Sequence, residues 1–251
     1  MGERTRYEPG TFCWVDVATP DATGAKAFYG SLFGWSMHDV PGGRGTTYTR
    51  ARLGGADVAG IYDGAPPRWM SYVCMEDADA TVARARELGG AVEVEPFDAG
   101  GGRRTEITDP AGAVFSIWEP GDHIGAGRVN EPSALCWNEL ALPDVAAVED
   151  FYQPLFGWQL QNVPTPEGAP EIVGIANRAG WRNGNLRAAA DQPPAWTPYF
   201  GAESCADAAH RATELGGRLL FGPIDLPSGR MAVAADPQGA VFGLVDGAMD
   251  P

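Results

Sequence analysis

The sequence has few basic residues and no long apolar run. It carries 18 Lys and Arg against 33 Asp and Glu, for a formal net charge of −15 over 251 residues. Nucleic-acid affinity rests on clustered Lys and Arg, so we expect no nucleic-acid partner. No segment reaches the roughly 20 apolar residues that cross a bilayer, and the start, MGERTRYEPGTFCW, lacks the apolar core of a secretory signal. We therefore expect a cytoplasmic protein with no membrane partner.

Cysteine is also scarce. The cysteines are Cys13, Cys74, Cys136 and Cys205, and no two of them form a CxxC motif. In a protein expected in the cytoplasm, this pattern favours thiols over disulfides.

An internal repeat organises the chain. Three segments occur twice in the same order: KAFYGSLFGW at 26–35 and EDFYQPLFGW at 149–158, ELGG at 87–90 and 214–217, and DPAGAVF at 109–115 and DPQGAVF at 236–242. Self-similarity of this kind indicates two tandem copies of about 125 residues. The Gly- and Pro-rich stretch EPGDHIGAGRVNEPS would join them. We predict two domains, at residues 1–125 and 126–251.

Each copy repeats a smaller pattern. A strand over 11–18 precedes an amphipathic helix over 22–34 and three strands, and the order then restarts with a helix over 78–88. This predicts an α+β fold in which two βαβββ units per copy curl a mostly antiparallel sheet around a concave pocket. Pro154 should kink the first helix of the second copy or end it early. The sequence leaves open whether units pair within a copy or between copies.

The motifs FYxxLFGW, ELGG and DPxGAVF, in this order and twice over, resemble the vicinal oxygen chelate superfamily. This superfamily includes glyoxalase I, extradiol dioxygenases, fosfomycin-resistance enzymes and bleomycin-resistance proteins. The chain looks most like its tandem two-domain actinobacterial-type members. The resemblance implies two glyoxalase-like domains. In metal-using relatives it also implies three ligands, usually His and Glu, on three strands that line the concavity.

The residues at the implied ligand positions are not competent metal ligands. Distance from the motifs gives Trp14, Met70 and Ser116 in the first copy and Trp137, Thr197 and Gly243 in the second, while a slip of one residue gives Trp69 and Trp196. A divalent site in this family needs imidazole nitrogen or carboxylate oxygen. The histidines do not fill the gap, because they are expected on a second strand (His38), in the linker (His123) and on a water-facing helix side (His210). We therefore expect neither a metal nor another cofactor.

Strand alternation predicts what lines the pocket instead. Asp16 shares a face with Trp14, and Glu139 shares one with Trp137. The same reasoning places Tyr72, Arg104, Glu106 and Trp118 on the pocket face of the first copy, and Tyr199 and Met231 on that of the second. Such a pocket would suit a flat organic molecule. The competing structural interpretation is that the tryptophans fill the concavity, while the acids cap a helix or pair with Arg104 and Arg230.

Three functions are consistent with this pattern. The first is metal-independent binding of an aromatic or polycyclic small molecule, a natural product or antibiotic, for sequestration or as an accessory step in its biosynthesis. The second is a cofactor-free cyclase, isomerase, lyase or hydratase for a polyketide-like substrate, with Asp16 or Glu139 as general acid/base. The third is a metal-dependent lyase or dioxygenase that uses other ligands. In each case the partner is a small molecule and the protein is a monomer or homodimer.

Overall fold

The computed structural model of the protein describes residues 2–42 and 46–247. Within these two ranges, four α-helices and sixteen strands follow the repeat. The first copy contains β1 (Phe12–Thr19), α1 (Ala22–Phe33), β2 (Ser36–Pro41), β3 (Thr47–Leu53), β4 (Ala56–Asp63), β5 (Arg68–Cys74), α2 (Ala78–Glu87), β6 (Ala91–Asp98), β7 (Gly102–Thr108) and β8 (Val114–Pro120). The second contains β9 (Leu135–Leu142), α3 (Glu149–Phe156), β10 (Gln159–Val163), β11 (Ile172–Ala176), β12 (Arg182–Ala188), β13 (Ala195–Gly201), α4 (Cys205–Glu214), β14 (Arg218–Leu226), β15 (Gly229–Ala235) and β16 (Val241–Val245).

Each copy builds one eight-stranded sheet. The strand orders are β2-β3-β4-β1-β5-β8-β7-β6 and β10-β11-β12-β9-β13-β16-β15-β14. Within the first sheet the two βαβββ units join where β1 runs antiparallel to β5, and β9 and β13 join the second sheet in the same way. The units therefore pair within a copy, and the predicted α+β architecture is confirmed. The predicted boundary at residues 125 and 126 stays a prediction.

Helix ends explain why the motifs recur. Helix α1 begins after Asp21, whose side chain accepts from the Gly24 N–H, and it ends at Gly34 with φ of 70°. Helix α3 ends in the same way at Gly157, with φ of 69°. A left-handed residue at a helix end strongly favours glycine, which accounts for the Gly of FYxxLFGW.

The prediction that Pro154 ends its helix early is wrong. Helix α3 runs through Pro154 to Phe156, which matches Phe33 at the end of α1. The irregularity lies before the helix, where residues Val145–Val148 form a 3₁₀ turn. Proline removes one backbone hydrogen bond, while burial of Phe151, Tyr152, Leu155 and Phe156 holds the end of the helix in place.

Both hydrophobic cores contain side chains from both copies. We call the sheet face that carries Trp14 and Asp16, or Trp137 and Glu139, the inner face, and the opposite one the outer face. The outer faces and the helices pack together across the pseudo-symmetric junction, where the Trp69 and Phe200 rings lie 5.0 Å apart. At the centre the Ser71 hydroxyl donates to Asn138 Oδ1 over 2.7 Å. The inner faces are therefore left for other uses.

The repeated motifs bond the copies to each other. Tyr29 of α1 donates to Asp236 Oδ2 over 2.9 Å, and Trp69 Nε1 donates to the Tyr29 hydroxyl over 2.9 Å. The equivalent hydrogen bond runs in the opposite direction between the copies, since Tyr152 of α3 donates to Asp109 Oδ2 over 2.8 Å. Trp196 Nε1 donates to the Tyr152 hydroxyl over 3.1 Å. The Tyr of FYxxLFGW in one copy thus binds the Asp of DPxGAVF in the other.

No disulfide is present among the described residues. Within residues 2–42 and 46–247, no helix is long and apolar enough to span a membrane.

We predict that Tyr29→Phe lowers the free energy of unfolding by about 1–3 kcal/mol, because it leaves the buried Asp236 carboxylate and Trp69 indole without this partner. Urea denaturation measures the change. Tyr62→Phe is the matched control, since this tyrosine is only partly buried, and it should change the free energy by less than about 0.5 kcal/mol. Equal effects of the two variants would contradict this assignment.

Candidate functional site: the two inner faces

Strand register brings most of the predicted residues of the first copy onto its inner face. Asp16 lies opposite Met70 and Trp14 opposite Tyr72. Tyr72 is next to Ser116 on β8. Strand β7 then adds Arg104 opposite Trp118 and Glu106 opposite Ser116. In the second copy the same faces collect Trp137, Glu139, Thr197, Tyr199 and Met231.

Trp69 and Trp196 do not belong to this set. Each lies one residue from an inner-face position, so it points to the outer face. There Trp69 binds Tyr29 and Trp196 binds Tyr152 in the junction between the copies. The expectation that they contact a ligand is therefore corrected.

Asp16 lies at the base of the first inner face and is 1 % exposed. Its Oδ2 accepts from the Tyr72 hydroxyl over 2.6 Å and from the Tyr48 hydroxyl over 3.1 Å. Its Oδ1 is buried and has no hydrogen-bond partner among the described residues. Burial raises the pKa of Asp16 above its ordinary value, although Arg104 and the two tyrosines lower it in part. One carboxyl oxygen is thus held while the other is uncommitted.

Arg104 and Glu106 cover one side of Asp16. Arg104 Nη2 donates to Glu106 Oε1, and Arg68 pairs with Glu106 over 3.2 Å. The Arg104 guanidinium also lies 5.4 Å from the centre of the Tyr72 ring. Arg104 Nε and Ser116 Oγ are buried without a partner among the described residues. Three uncommitted polar atoms therefore belong to one face, on β1, β8 and β7.

The other side of this face is closed by an imidazole ring that strand alternation does not predict there. His123, from the linker, lies 4.7 Å from Trp14 and 5.6 Å from Trp118 between ring centres. Its carbonyl accepts from Trp118 Nε1 over 2.8 Å. Burial lowers the pKa of His123 to about 4, and Arg50 adds to the effect. A neutral imidazole therefore covers both tryptophans, in partial agreement with the interpretation that tryptophans fill the concavity.

Glu139, the counterpart of Asp16, is held through both oxygens. Oε1 accepts from Arg187 Nε over 2.8 Å and from the Tyr199 hydroxyl over 3.3 Å, while Oε2 accepts from Asn185 Nδ2 over 3.1 Å. Its cation is Arg187 on the neighbouring strand β12. Arg230, considered as a partner from the sequence, pairs instead with Asp225 over 2.6 Å.

The two faces use one hydrogen-bond scheme built from different residues. In the first copy Trp14 Nε1 donates to the Tyr48 hydroxyl, which donates to Asp16. In the second, Trp137 Nε1 donates to Asn185 Oδ1, and the amide of Asn185 donates to Glu139. The position of Asn185 corresponds to Gly60, since these residues pair with Glu139 and Asp16. A Cβ at Gly60 would overlap the Tyr48 hydroxyl, so glycine makes room for the tyrosine.

The second inner face is the more open one. Trp14, Met70 and Ser116 are buried, whereas Trp137, Thr197 and Met231 are only partly buried. Strand β14 places Phe221 opposite Val233 and Ile224 opposite Met231. Phe221 is 53 % exposed and Ile224 is 37 % exposed. This face therefore presents accessible apolar surface beside the Glu139–Arg187 pair.

The donor set of neither face fits a divalent metal. The positions implied as ligands hold Trp14, Met70 and Ser116 in one copy and Trp137, Thr197 and Gly243 in the other. At Gly243 the Tyr199 ring occupies the space that a side chain would need. Among residues 2–42 and 46–247, no group of three His, Cys, Asp or Glu side chains could hold a metal ion.

Comparison with known proteins agrees with this architecture. The model of the Glyoxalase/Bleomycin resistance protein/Dioxygenase superfamily matches residues 11–117. The chain is 39% identical over 261 residues to the putative glyoxylase CFP32 of Mycobacterium tuberculosis (strain CDC 1551 / Oshkosh), covering 98% of each chain. It is 32% identical over 271 residues to the anthracycline biosynthesis protein DnrV of Streptomyces peucetius, covering 96% of this chain and 95% of DnrV.

Solved structures share the fold at low identity. The Mn(II)-bound glyoxalase from Novosphingobium aromaticivorans superposes with a TM-score of 0.68 at 16% identity, covering 100% of this chain and 84% of that one. The 2,3-dioxygenase LapB from Pseudomonas sp. KL28 gives a TM-score of 0.65 at 16% identity, with coverage of 100% and 95%. The family model and the relatives that match this chain along nearly its whole length show that the chain belongs to the glyoxalase/bleomycin resistance protein/dioxygenase superfamily.

Proposed function

We propose that the protein binds an aromatic or polycyclic organic molecule on the inner face of its second copy, without a resident metal. The observation that carries this proposal is the exposed apolar surface of β14, with Phe221 at 53 % and Ile224 at 37 % exposure. Contiguous apolar surface of this kind is typical of binding sites. Trp137 and Tyr199 add aromatic area next to it.

The polar centre of this face would orient the ligand. Glu139 accepts three hydrogen bonds, and a carboxylate offers about four lone-pair sites, so one remains for a ligand hydroxyl. The hydroxyl of Thr197 lies on the neighbouring strand, opposite Glu139. A flat, hydroxylated molecule matches this combination of apolar wall and acceptor.

The relatives support a natural-product ligand. DnrV of Streptomyces peucetius and DauV of Streptomyces sp. (strain C5), 31% identical to this chain, are both named anthracycline biosynthesis proteins. We infer that this protein sequesters such a compound or assists a step in its biosynthesis. The alternative of a metal-dependent lyase or dioxygenase has less support, because the residues at the implied ligand positions do not fit a metal.

Ile224→Ser should weaken binding of alizarin, a dihydroxyanthraquinone, by about fivefold, because it removes roughly 1 kcal/mol of apolar contact. Isothermal titration calorimetry measures the dissociation constants. The matched control is Leu219→Ser, on the same strand and also 37 % exposed but paired with Ala234 on the outer face. Equal losses in the two variants would place the ligand elsewhere.

Removal of metal should leave this binding unchanged. We expect protein dialysed against EDTA to bind alizarin with its original dissociation constant, since Trp137, Thr197 and Gly243 offer no divalent site. Metal analysis of the purified protein accompanies the titration. A stoichiometric transition metal whose removal abolishes binding would refute metal independence.

A second function is favoured by Asp16. A buried carboxyl with a raised pKa and one uncommitted oxygen is suited to proton transfer. Under this hypothesis the first copy acts as a cofactor-free cyclase, isomerase, lyase or hydratase site on a polyketide-like substrate. Arg104 would stabilise negative charge next to Asp16. Glu139 is less suited to this role, because both of its oxygens are already bonded.

The raised pKa of Asp16 makes stability depend on pH. Between the ordinary Asp value of about 3.9 and the raised value, the folded state keeps a proton that the unfolded state has lost. The free energy of unfolding should therefore fall as pH rises through this window. Asp16→Asn should remove the contribution of Asp16 to this decrease. Urea denaturation at a series of pH values measures it.

Asp63→Asn is the control, because this carboxyl is exposed at the end of β4. It should retain the pH dependence of the wild-type protein. If Asp16→Asn retained it as well, Asp16 would not hold its proton in the folded state and the acid/base hypothesis would lose its basis.

A further inference from the structure

A cavity of about 490 Å³ lies at the junction between the N-terminal segment and the second copy. We call it the junction cavity. Its lining includes Tyr7 from the N-terminal segment, Phe12 at the start of β1, Asn138 from β9 and Arg182 from β12. Asn138 alternates with Trp137 and Glu139 along β9, so the cavity does not belong to the inner face of the second copy.

The junction cavity concentrates positive charge in an acidic protein. Three arginines line it, Arg4, Arg6 and Arg182, against a single acid, Glu8. Arg6 pairs with Glu8 over 3.3 Å. Arg4 and Arg182 form no ion pair with any described residue. In a chain of net charge −15 these two unpaired guanidiniums favour an anion here.

Asn183 adds an uncommitted hydrogen-bonding group. Its side-chain Oδ1 and Nδ2 are both buried, and neither has a partner in the described part of the chain. A buried amide left without partners is unfavourable. Its nitrogen can donate to a carboxylate and its oxygen can accept from a hydroxyl. A molecule that carries both groups would satisfy both atoms at once.

Aromatic and apolar surface completes the cavity. Trp181 is 57 % exposed at its edge, and Phe12 and Leu135 provide apolar wall. The loop before Trp181 is fixed, because Asn177 Oδ1 accepts from the Trp181 N–H over 3.1 Å. Asn177 Nδ2 in turn donates to Thr11 Oγ1 over 2.8 Å. The backbone of Trp181 is thus fixed at the edge of the cavity, where its indole can stack on a flat ring.

We propose that the junction cavity is a second ligand site, which binds an aromatic hydroxycarboxylate with its carboxylate at Arg182 and Asn183 and its ring on Trp181. The volume lies within the range of small-molecule sites. The site is independent of the inner faces, so it stands whether or not the second inner face binds alizarin.

Titration of the 251-residue protein with 3-hydroxy-2-naphthoate tests this proposal. We expect binding that Arg182→Gln weakens about tenfold, since a charge-assisted contact is lost. Arg182 is exposed, so the variant should fold. Arg218→Gln is the matched control, because Arg218 is an exposed arginine on the distant edge strand β14 and should leave the dissociation constant unchanged.

Three further measurements make the assignment specific. Asn183→Asp preserves the shape of the side chain but adds a negative charge. It should therefore weaken binding of 3-hydroxy-2-naphthoate by at least as much as Arg182→Gln does. The neutral analogue 3-hydroxy-2-naphthamide should bind more weakly than the acid. Ile224→Ser should leave naphthoate binding intact, which separates this site from the inner face. Absence of binding, equal effects of the Arg182 and Arg218 variants, or equal affinities for acid and amide would each overturn the proposal.

Discussion

The hydrogen bond between Tyr of FYxxLFGW and Asp of DPxGAVF is the constraint on which the rest of the structure depends. It runs from Tyr29 to Asp236 and from Tyr152 to Asp109, so each copy contributes one donor and one acceptor. Because both bonds are buried among aromatic rings, separating the copies would expose polar atoms and apolar surface together. The outer faces of both sheets are thereby committed to the junction. The inner faces and the edges of the junction remain accessible to ligands.

The inner faces have diverged within this shared frame. In each, a Trp side chain donates a hydrogen bond to a second side chain, Tyr48 or Asn185, which donates a hydrogen bond to the acid. In the first copy the acid is enclosed, with His123 over the tryptophans and Arg104 beside the carboxyl. In the second the acid is neutralised by Arg187, and apolar side chains of β14 stay exposed. The first face thus encloses its acid, whereas the second leaves apolar area exposed beside its own.

The sequence predicts the parts of this architecture that depend on short-range pattern. The repeat, the helix ends and the alternation along β1, β5, β7 and β8 identify Trp14, Asp16, Tyr72 and Arg104 as neighbours on one face. Alternation along a strand cannot correct an error of one residue in the starting position, and such an error moves Trp69 to the opposite face. Partners that come from other strands or from the linker, such as Tyr48, Arg187 and His123, depend on register and loop path. Those are set by tertiary packing, so no local signal reveals them.

Gly60 and Tyr48 carry a consequence for how the duplicated halves can change. The asparagine at the matching position of the second copy, Asn185, supplies the hydrogen bond that Tyr48 supplies in the first. A side chain at Gly60 would collide with the Tyr48 hydroxyl, so asparagine cannot enter there while the tyrosine remains. Conversion of the Tyr48 arrangement into the asparagine arrangement therefore requires two substitutions together, or an intermediate sequence in which the acid lacks one hydrogen-bond donor. The two copies therefore cannot exchange single residues at these positions, and each inner face can change in sequence independently of the other.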